Sequence, residues 1–103
     1  MTQIQKLGWR IGREFGANRV VLFGSFARGS ATDDSDVDLL VILPFKGKSV
    51  ERSVEMRMKL CPAFPVYLIV RSPQMVREHI EMGDDVMRDI LEEGTVLYEA
   101  DHG

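Results

Sequence analysis

The chain has 103 residues, of which 45% are hydrophobic and 28% are charged, and its formal net charge at pH 7 is −3. A chain of this length supports one hydrophobic core, so we expect a single domain over residues 1–103. It has no apolar run as long as a membrane span, no signal-peptide pattern and only one cysteine, so we expect a soluble, cytoplasmic protein without an internal disulfide. Basic residues form no long stripe, which argues against a protein that grips duplex nucleic acid.

The first elements along the chain are a helix and a strand. Residues 4–16 have the spacing of an amphipathic helix, with apolar side chains on one face at Ile4, Leu7, Ile11 and Phe15. The next apolar run, residues 19–23, contains almost no polar residue and predicts a strand that is buried on both faces. The two elements together predict a helix that packs on a sheet.

A turn of small residues follows this strand and has the composition of a phosphate-binding element. Gly24 has no Cβ, so a phosphate can approach the backbone there, and a short helix is predicted to start at Ser25. Free amides at the helix start and the Ser25 hydroxyl could hold a triphosphate. Arg28, one turn into the helix, could add positive charge or pair with an acid. Gly24, Ser25 and Arg28 are therefore the candidate nucleotide-binding residues.

Two carboxylates stand at the entrance of the second predicted strand, residues 37–43. Successive strand side chains point to opposite faces, so Asp36 and Asp38, two positions apart, point the same way. Like charges so placed repel unless a cation lies between them, and Mg²⁺ takes oxygen ligands of this kind, often with substrate phosphates. Asp36 and Asp38 are therefore candidate metal ligands and catalytic residues, with Mg²⁺ as cofactor. Asp33 and Asp34, in the preceding loop, are interpreted as solvated acids.

The second half of the chain continues to alternate helix and strand patterns. The apolar run at 64–70 predicts a third strand, two short helices are predicted after it, and residues 95–98 predict an edge strand. A helix is predicted over residues 49–60, with an inward stripe of Val50, Val54, Met58 and Cys61. The predicted fold is thus α/β, a small mixed sheet with helices packed mainly on one side.

These motifs carry a family resemblance. The chain resembles the DNA polymerase beta-like nucleotidyltransferase superfamily, in its minimal single-domain form, at Gly24-Ser25-Phe26-Ala27-Arg28-Gly29 and at Ser35-Asp36-Val37-Asp38-Leu39. Later segments at 66–73 and 83–99 look like the third strand and the tail of such minimal proteins. The resemblance covers most of the chain and implies a nucleotidyltransferase fold that binds ATP or another nucleoside triphosphate with Mg²⁺.

One position departs from the family pattern. Active members use three carboxylates, the third on a later strand beside the first two, where it helps to hold the metal and takes the proton of the attacking hydroxyl. The matching position here is Tyr67, and no Asp or Glu occurs between Met56 and Gln74. A phenol is a poor base at neutral pH, and losing a positioned base typically costs about 10² to 10⁴ in rate. The resemblance thus leaves open whether the chain catalyses transfer.

Two functional hypotheses follow. In the first, the chain is an enzyme that moves a nucleoside monophosphate from ATP to a hydroxyl and releases pyrophosphate. The resemblance implies a partner as acceptor, because minimal members often occur beside a HEPN-type toxin, act as its antitoxin and sometimes modify a tyrosine on it. In the second, Tyr67 makes the chain a degenerate module that binds metal, nucleotide and a HEPN-type partner. Residues 74–103, with 9 acidic and 2 basic side chains, could then meet a basic partner surface.

Overall fold

A computed structural model describes residues 2–100 of the chain as a mixed α/β structure. No helix in this range is both long enough and apolar enough to span a membrane. The predicted strands near 19–23, 37–43 and 64–70 are confirmed to within two residues. The elements, in chain order, are α1 (Gln3–Phe15), β1 (Arg19–Phe23), α2 (Ser25–Arg28), β2 (Val37–Ile42), α3 (Ser49–Leu60), β3 (Val66–Arg71), α4 (Pro73–Glu81), α5 (Asp85–Glu93) and β4 (Thr95–Glu99).

The four strands form one sheet in the order β3-β2-β1-β4. The pairs β1–β2 and β1–β4 are antiparallel, whereas β2 and β3 are parallel, so the predicted mixed sheet is confirmed. This arrangement brings the last residue of β1 and the first residues of β2 and β3 to the same end of the sheet. At that end Asp38 is paired with Phe23 on one side and with Tyr67 on the other.

The two faces of the sheet are covered to different extents. The two longest helices, α1 and α3, pack on one face, where Ile11 and Met56 are fully buried. The opposite face packs against α5 through Met87 and Ile90, with α4 beside it. At the end of the sheet where Asp38 and Tyr67 are paired, this second face remains open to solvent, since Tyr67 is 53% exposed.

The predicted inward stripe of α3 is wrong. Helix α3 buries Met56 and Leu60 and exposes the predicted stripe to solvent. A cation helps to fill the inner side, since the Arg52 guanidinium lies 5.6 Å from the centre of the Phe15 ring. A prediction that places apolar residues in the core and charged residues on the surface therefore assigns the wrong face of α3 to the core. The exposed stripe is Val50, Val54, Met58 and Cys61.

Candidate active site

Gly24 links β1 to the short helix α2, and its backbone conformation requires glycine. Its φ of 76° and ψ of −153° lie in a region that residues with a Cβ avoid. A Cβ at this position would also overlap the Oδ2 atom of Asp38, the facing residue at the entrance of β2. Close approach of the Gly24 backbone to the Asp38 carboxylate is thus built into the fold. This contact joins the two halves of the sequence motif.

Substitution of Gly24 tests this close approach, and Gly29 offers a matched control. Both glycines have a φ of 76°, but a Cβ on Gly29 meets no atom within 4 Å. We expect Gly29→Ala to cost about 1 kcal/mol through backbone strain alone. Gly24→Ala must hold a Cβ at a ψ of −153°, against 17° at Gly29, and must also displace Asp38, so we expect a loss of about 3 kcal/mol. Urea unfolding of both variants measures the difference, and equal losses would contradict the close approach.

Helix α2 places Ser25 and Arg28 at the same end of the sheet. Ser25 is the first residue of α2. The capping residue Gly24 has no side chain, so the first amides of α2 donate to no capping side chain. These amides and the Ser25 hydroxyl are the donors expected to face a phosphate. Arg28, at the other end of α2, is close enough to Asp38 for its charge to lower the pKa of that carboxyl. The structure therefore brings Gly24, Arg28 and Asp38 together.

Asp36 and Asp38 form the acidic part of the site. Asp36 precedes β2 and is exposed, whereas Asp38 is half-buried inside the strand. Burial raises the pKa of Asp38, the nearby charge of Asp36 raises it further, and Arg28 opposes both effects. Asp38 is thus a carboxyl whose ionised form is disfavoured in the folded protein by its surroundings. A cation between the two acids would relieve this cost.

The donor set fits one magnesium ion that is shared with a nucleotide. Mg²⁺ usually binds to one or two carboxylates and completes its octahedral shell with phosphate oxygens and water. Asp36 and Asp38 supply two carboxylates, and phosphates held at Gly24 would lie beside them. Within residues 2–100 no cluster of three or more His, Cys, Asp or Glu side chains could hold a metal alone. If Mg²⁺ binds here, the two acids would be the protein ligands, and nucleotide and water would complete its shell.

The raised pKa of Asp38 predicts a pH-dependent gain in stability for Asp38→Asn. The folded protein binds the Asp38 proton more tightly than the unfolded chain, so ionisation destabilises the fold as pH rises from 3.8 through the raised value. At pH 7 without metal, we expect Asp38→Asn to be more stable than wild type. Near pH 3.5 the gain should vanish. Thermal melts at both pH values test this, with the exposed loop variant Asp34→Asn as control. A gain independent of pH would contradict it.

Tyr67 occupies the strand position of the missing third acid. Its Cα is the parallel-sheet partner of the Cα of Asp38, and residues paired across a sheet point to the same face. The side chain of Tyr67 therefore stands beside Asp38 on the open face and is 53% exposed. The register places this phenol where the family pattern places a carboxylate.

Two clefts border the acidic pair. The first, the α5 cleft, has a volume of about 340 Å³ and lies between α2 and α5. It is lined by Phe23, Gly24, Ala27, Arg28, Val86, Asp89, Ile90, Glu93 and Gly94. The second, the β3 cleft, has a volume of about 490 Å³ and is lined by Asp36, Arg57, Pro62, Phe64, Pro65, Val66 and Tyr67. Gly24, the contact of Asp38, thus lines one cleft, and Asp36 lines the other.

Some of these lining residues could not be recognised in the sequence. Asp89 and Glu93 reach the α5 cleft because α5 docks on the sheet through Met87 and Ile90. Arg57 reaches the β3 cleft from the exposed side of α3. No motif marks these side chains, since their place in the site depends on how the helices pack.

The sequence matches a family of known proteins and one named relative. The model of the nucleotidyltransferase domain family matches residues 5–97. A Methanocaldococcus jannaschii protein, named provisionally as a protein adenylyltransferase, is 33% identical over 82 residues, which cover 78% of this chain and 77% of that protein.

A solved structure shares the fold. A crystal structure from Sulfolobus solfataricus, provisionally described as a nucleotidyltransferase, has a TM-score of 0.65 at 19% identity and covers 98% of this chain and 81% of that chain. The family model spans both halves of the motif, the whole of β1, β2 and β3, and the first residues of β4. Because the family model matches residues 5–97 and the Methanocaldococcus jannaschii relative is 33% identical, the chain belongs to the nucleotidyltransferase domain family.

Proposed function

We propose that the protein transfers AMP from ATP to a hydroxyl group of a partner protein, with Mg²⁺ as cofactor. The observation that carries the proposal is the close approach of the Gly24 backbone to the carboxylate of Asp38. It sets the candidate phosphate-binding turn directly against one of the two acids, whose charge Arg28 only partly offsets. The relative named as a protein adenylyltransferase supports ATP as the donor and a protein as the acceptor.

Each candidate residue has a role in this proposal. The amides after Gly24 and the hydroxyl of Ser25 bind the phosphates, and Arg28 balances their charge. Asp36 and Asp38 hold Mg²⁺, which neutralises negative charge on the triphosphate when it is bound. The acceptor oxygen forms a bond to the α-phosphorus, and the bond from that phosphorus to the β-phosphate breaks. The electron pair leaves with pyrophosphate, and the hydroxyl proton passes to solvent.

The two clefts suit the two substrates. In the α5 cleft, Val86 and Ile90 offer apolar contact for a base, while Asp89 and Glu93 offer acceptors for ribose hydroxyls. Two carboxylates would repel phosphates, so the phosphates belong at the Gly24 end. The β3 cleft, on the Asp36 and Tyr67 side, is left for the acceptor.

Transfer of label from α-labelled ATP to protein tests the proposal. The chain is incubated with the product of its neighbouring gene as candidate acceptor, with Mg²⁺ or with an excess of EDTA. We expect label on the partner with Mg²⁺ and loss of nearly all of it with EDTA. Label transfer that EDTA does not affect would contradict the role of Mg²⁺. Absence of label with Mg²⁺, although the two proteins form a complex, would contradict the transfer reaction for this partner.

The second candidate function is a binding module that holds a HEPN-type partner without modifying it. Two observations favour it: Tyr67 stands where the third acid is expected, and Val50, Val54 and Met58 form an exposed apolar stripe on α3. Solvent-exposed apolar residues on one helix face are typical of a surface that contacts another protein. If this function is correct, the complex should form and neutralise the partner equally well after Asp36 and Asp38 are replaced.

A further inference from the structure

Tyr67 places a hydroxyl group of the chain beside its own acidic pair. The phenol stands next to Asp38 on the open face of the sheet, with its side chain 53% exposed. It also lines the β3 cleft together with Asp36 and Arg57. An acceptor oxygen must lie close to the α-phosphate and to the acids that would hold the metal. The chain thus carries a hydroxyl in the cleft that we assign to the acceptor.

The second tyrosine of the chain provides a contrast. Tyr98 lies on β4 opposite Val20 and packs on the α1 face of the sheet. Its ring is in an edge-to-face contact with Trp9, with ring centres 6.2 Å apart. This is the sheet face opposite the acids. The sequence contains only these two tyrosines. Tyr67 is placed as an acceptor, and Tyr98 serves as an internal control.

We propose that Tyr67 is itself an adenylyl acceptor, and that the chain transfers AMP from ATP to the Tyr67 hydroxyl within one molecule. This inference rests on the proposed transfer activity and identifies an acceptor for it. The phenol oxygen forms a bond to the α-phosphorus, and the bond between that phosphorus and the oxygen leading to the β-phosphate breaks. Pyrophosphate leaves with the electron pair, and the phenolic proton passes to water through the open cleft.

The position of Tyr67 sets the stoichiometry and the kinetic order. One phenol per active site gives one AMP per chain, after which the attached nucleotide continues to occupy the α5 cleft that we assign to ATP. Since donor site and acceptor belong to the same molecule, the first-order rate constant should not depend on protein concentration. Binding sites for a non-hydrolysable ATP analogue should disappear in proportion to the modified fraction, a readout that does not depend on further catalysis.

Mass spectrometry of the intact chain after incubation with ATP and Mg²⁺ tests the proposal. We expect one added adenylyl group on wild type and on Tyr98→Phe, none on Tyr67→Phe, and a modified peptide that contains Tyr67. The half-exposed Tyr67 ring is not part of the core, so its replacement should leave thermal stability nearly unchanged. Equal labelling of Tyr67→Phe and wild type would overturn the proposal.

A mixing experiment tests transfer within one molecule. Tyr67→Phe, which retains both acids, is incubated with a chain that carries Asp36→Ala and Asp38→Ala and retains Tyr67. We expect no label on the second chain, and label there would show transfer between molecules and overturn the proposal. Label on the neighbouring gene product without label on Tyr67 would overturn this inference and leave the proposed function intact. No label on either protein would contradict both.

Discussion

Replacing both Asp36 and Asp38 with alanine is expected to lower AMP transfer to the partner protein by at least about 10³-fold. The two carboxylates are the protein ligands that we assign to Mg²⁺, and a bound metal contributes several kcal/mol of charge stabilisation to the transition state, where each 1.36 kcal/mol is about tenfold in rate. The same variant should be at least as stable as wild type without metal, because it removes the charge of Asp36 beside half-buried Asp38. Initial rates with α-labelled ATP and thermal melts measure the two effects.

A matched control separates this role from the loss of negative charge. Asp33→Ala with Asp34→Ala removes two acids from the loop just before the site, where both side chains are exposed. This variant should retain transfer within about twofold, as expected for solvated charges. A comparable loss of activity in the two double variants would show that the net charge of this region, and not a metal site, supports the reaction. Retained activity without Asp36 and Asp38 would contradict the assigned ligands.

The local parts of the site could be predicted from the sequence because they depend on short-range geometry. The two-residue spacing at the strand entrance predicts that Asp36 and Asp38 are neighbours, and the charge of Asp36 does act on Asp38. Gly24 marks a turn that only glycine can form. The position of Tyr67 beside Asp38 was predicted from the family pattern, and the parallel register of β2 and β3 agrees with it. These features involve neighbouring residues or adjacent strands.

The features that depend on helix docking could not be predicted in this way. The sequence of α3 contains a regular apolar stripe, yet the helix packs by the side that holds Met56, Leu60 and Arg52. The position of the Arg52 guanidinium over an aromatic ring contradicts the simple division between apolar core and charged surface. The contribution of Asp89 and Glu93 to the α5 cleft depends likewise on the packing of α5. Tertiary contacts decided both outcomes.

Stability and function oppose each other at Asp38. The site keeps an acid half-buried beside a second acid, although burial and repulsion both disfavour its charge. Such an arrangement is costly for the apo protein and becomes favourable when a cation and a nucleotide bind. Mg²⁺ with a non-hydrolysable ATP analogue should therefore raise the melting temperature of wild type more than that of Asp38→Asn. This coupling links the fold of the β2 entrance to the proposed ligand.

Replacing Tyr67 with aspartate is expected to raise the rate of AMP transfer to the partner by about 10²-fold, the lower part of the range for a positioned base. The new carboxylate would stand at the strand position paired with Asp38, where the family pattern has its third acid. It would add a ligand for metal and a base for the acceptor hydroxyl. Without metal the third negative charge should destabilise the fold, so Mg²⁺ should raise the melting temperature more than it does for wild type.

Tyr67→Asn is the matched control, because it has the size of the aspartate variant without its charge. Both substitutions remove the phenol and open the β3 cleft to the same extent, so a gain caused by space alone would appear in both. A gain confined to Tyr67→Asp assigns the effect to the carboxylate. If wild type is silent and Tyr67→Asp alone transfers label, the natural chain functions as the binding module and Tyr67 is the reason. If the two variants have equal rates, a carboxylate at the position beside Asp38 does not contribute to transfer, and any gain over wild type is due to removal of the phenol.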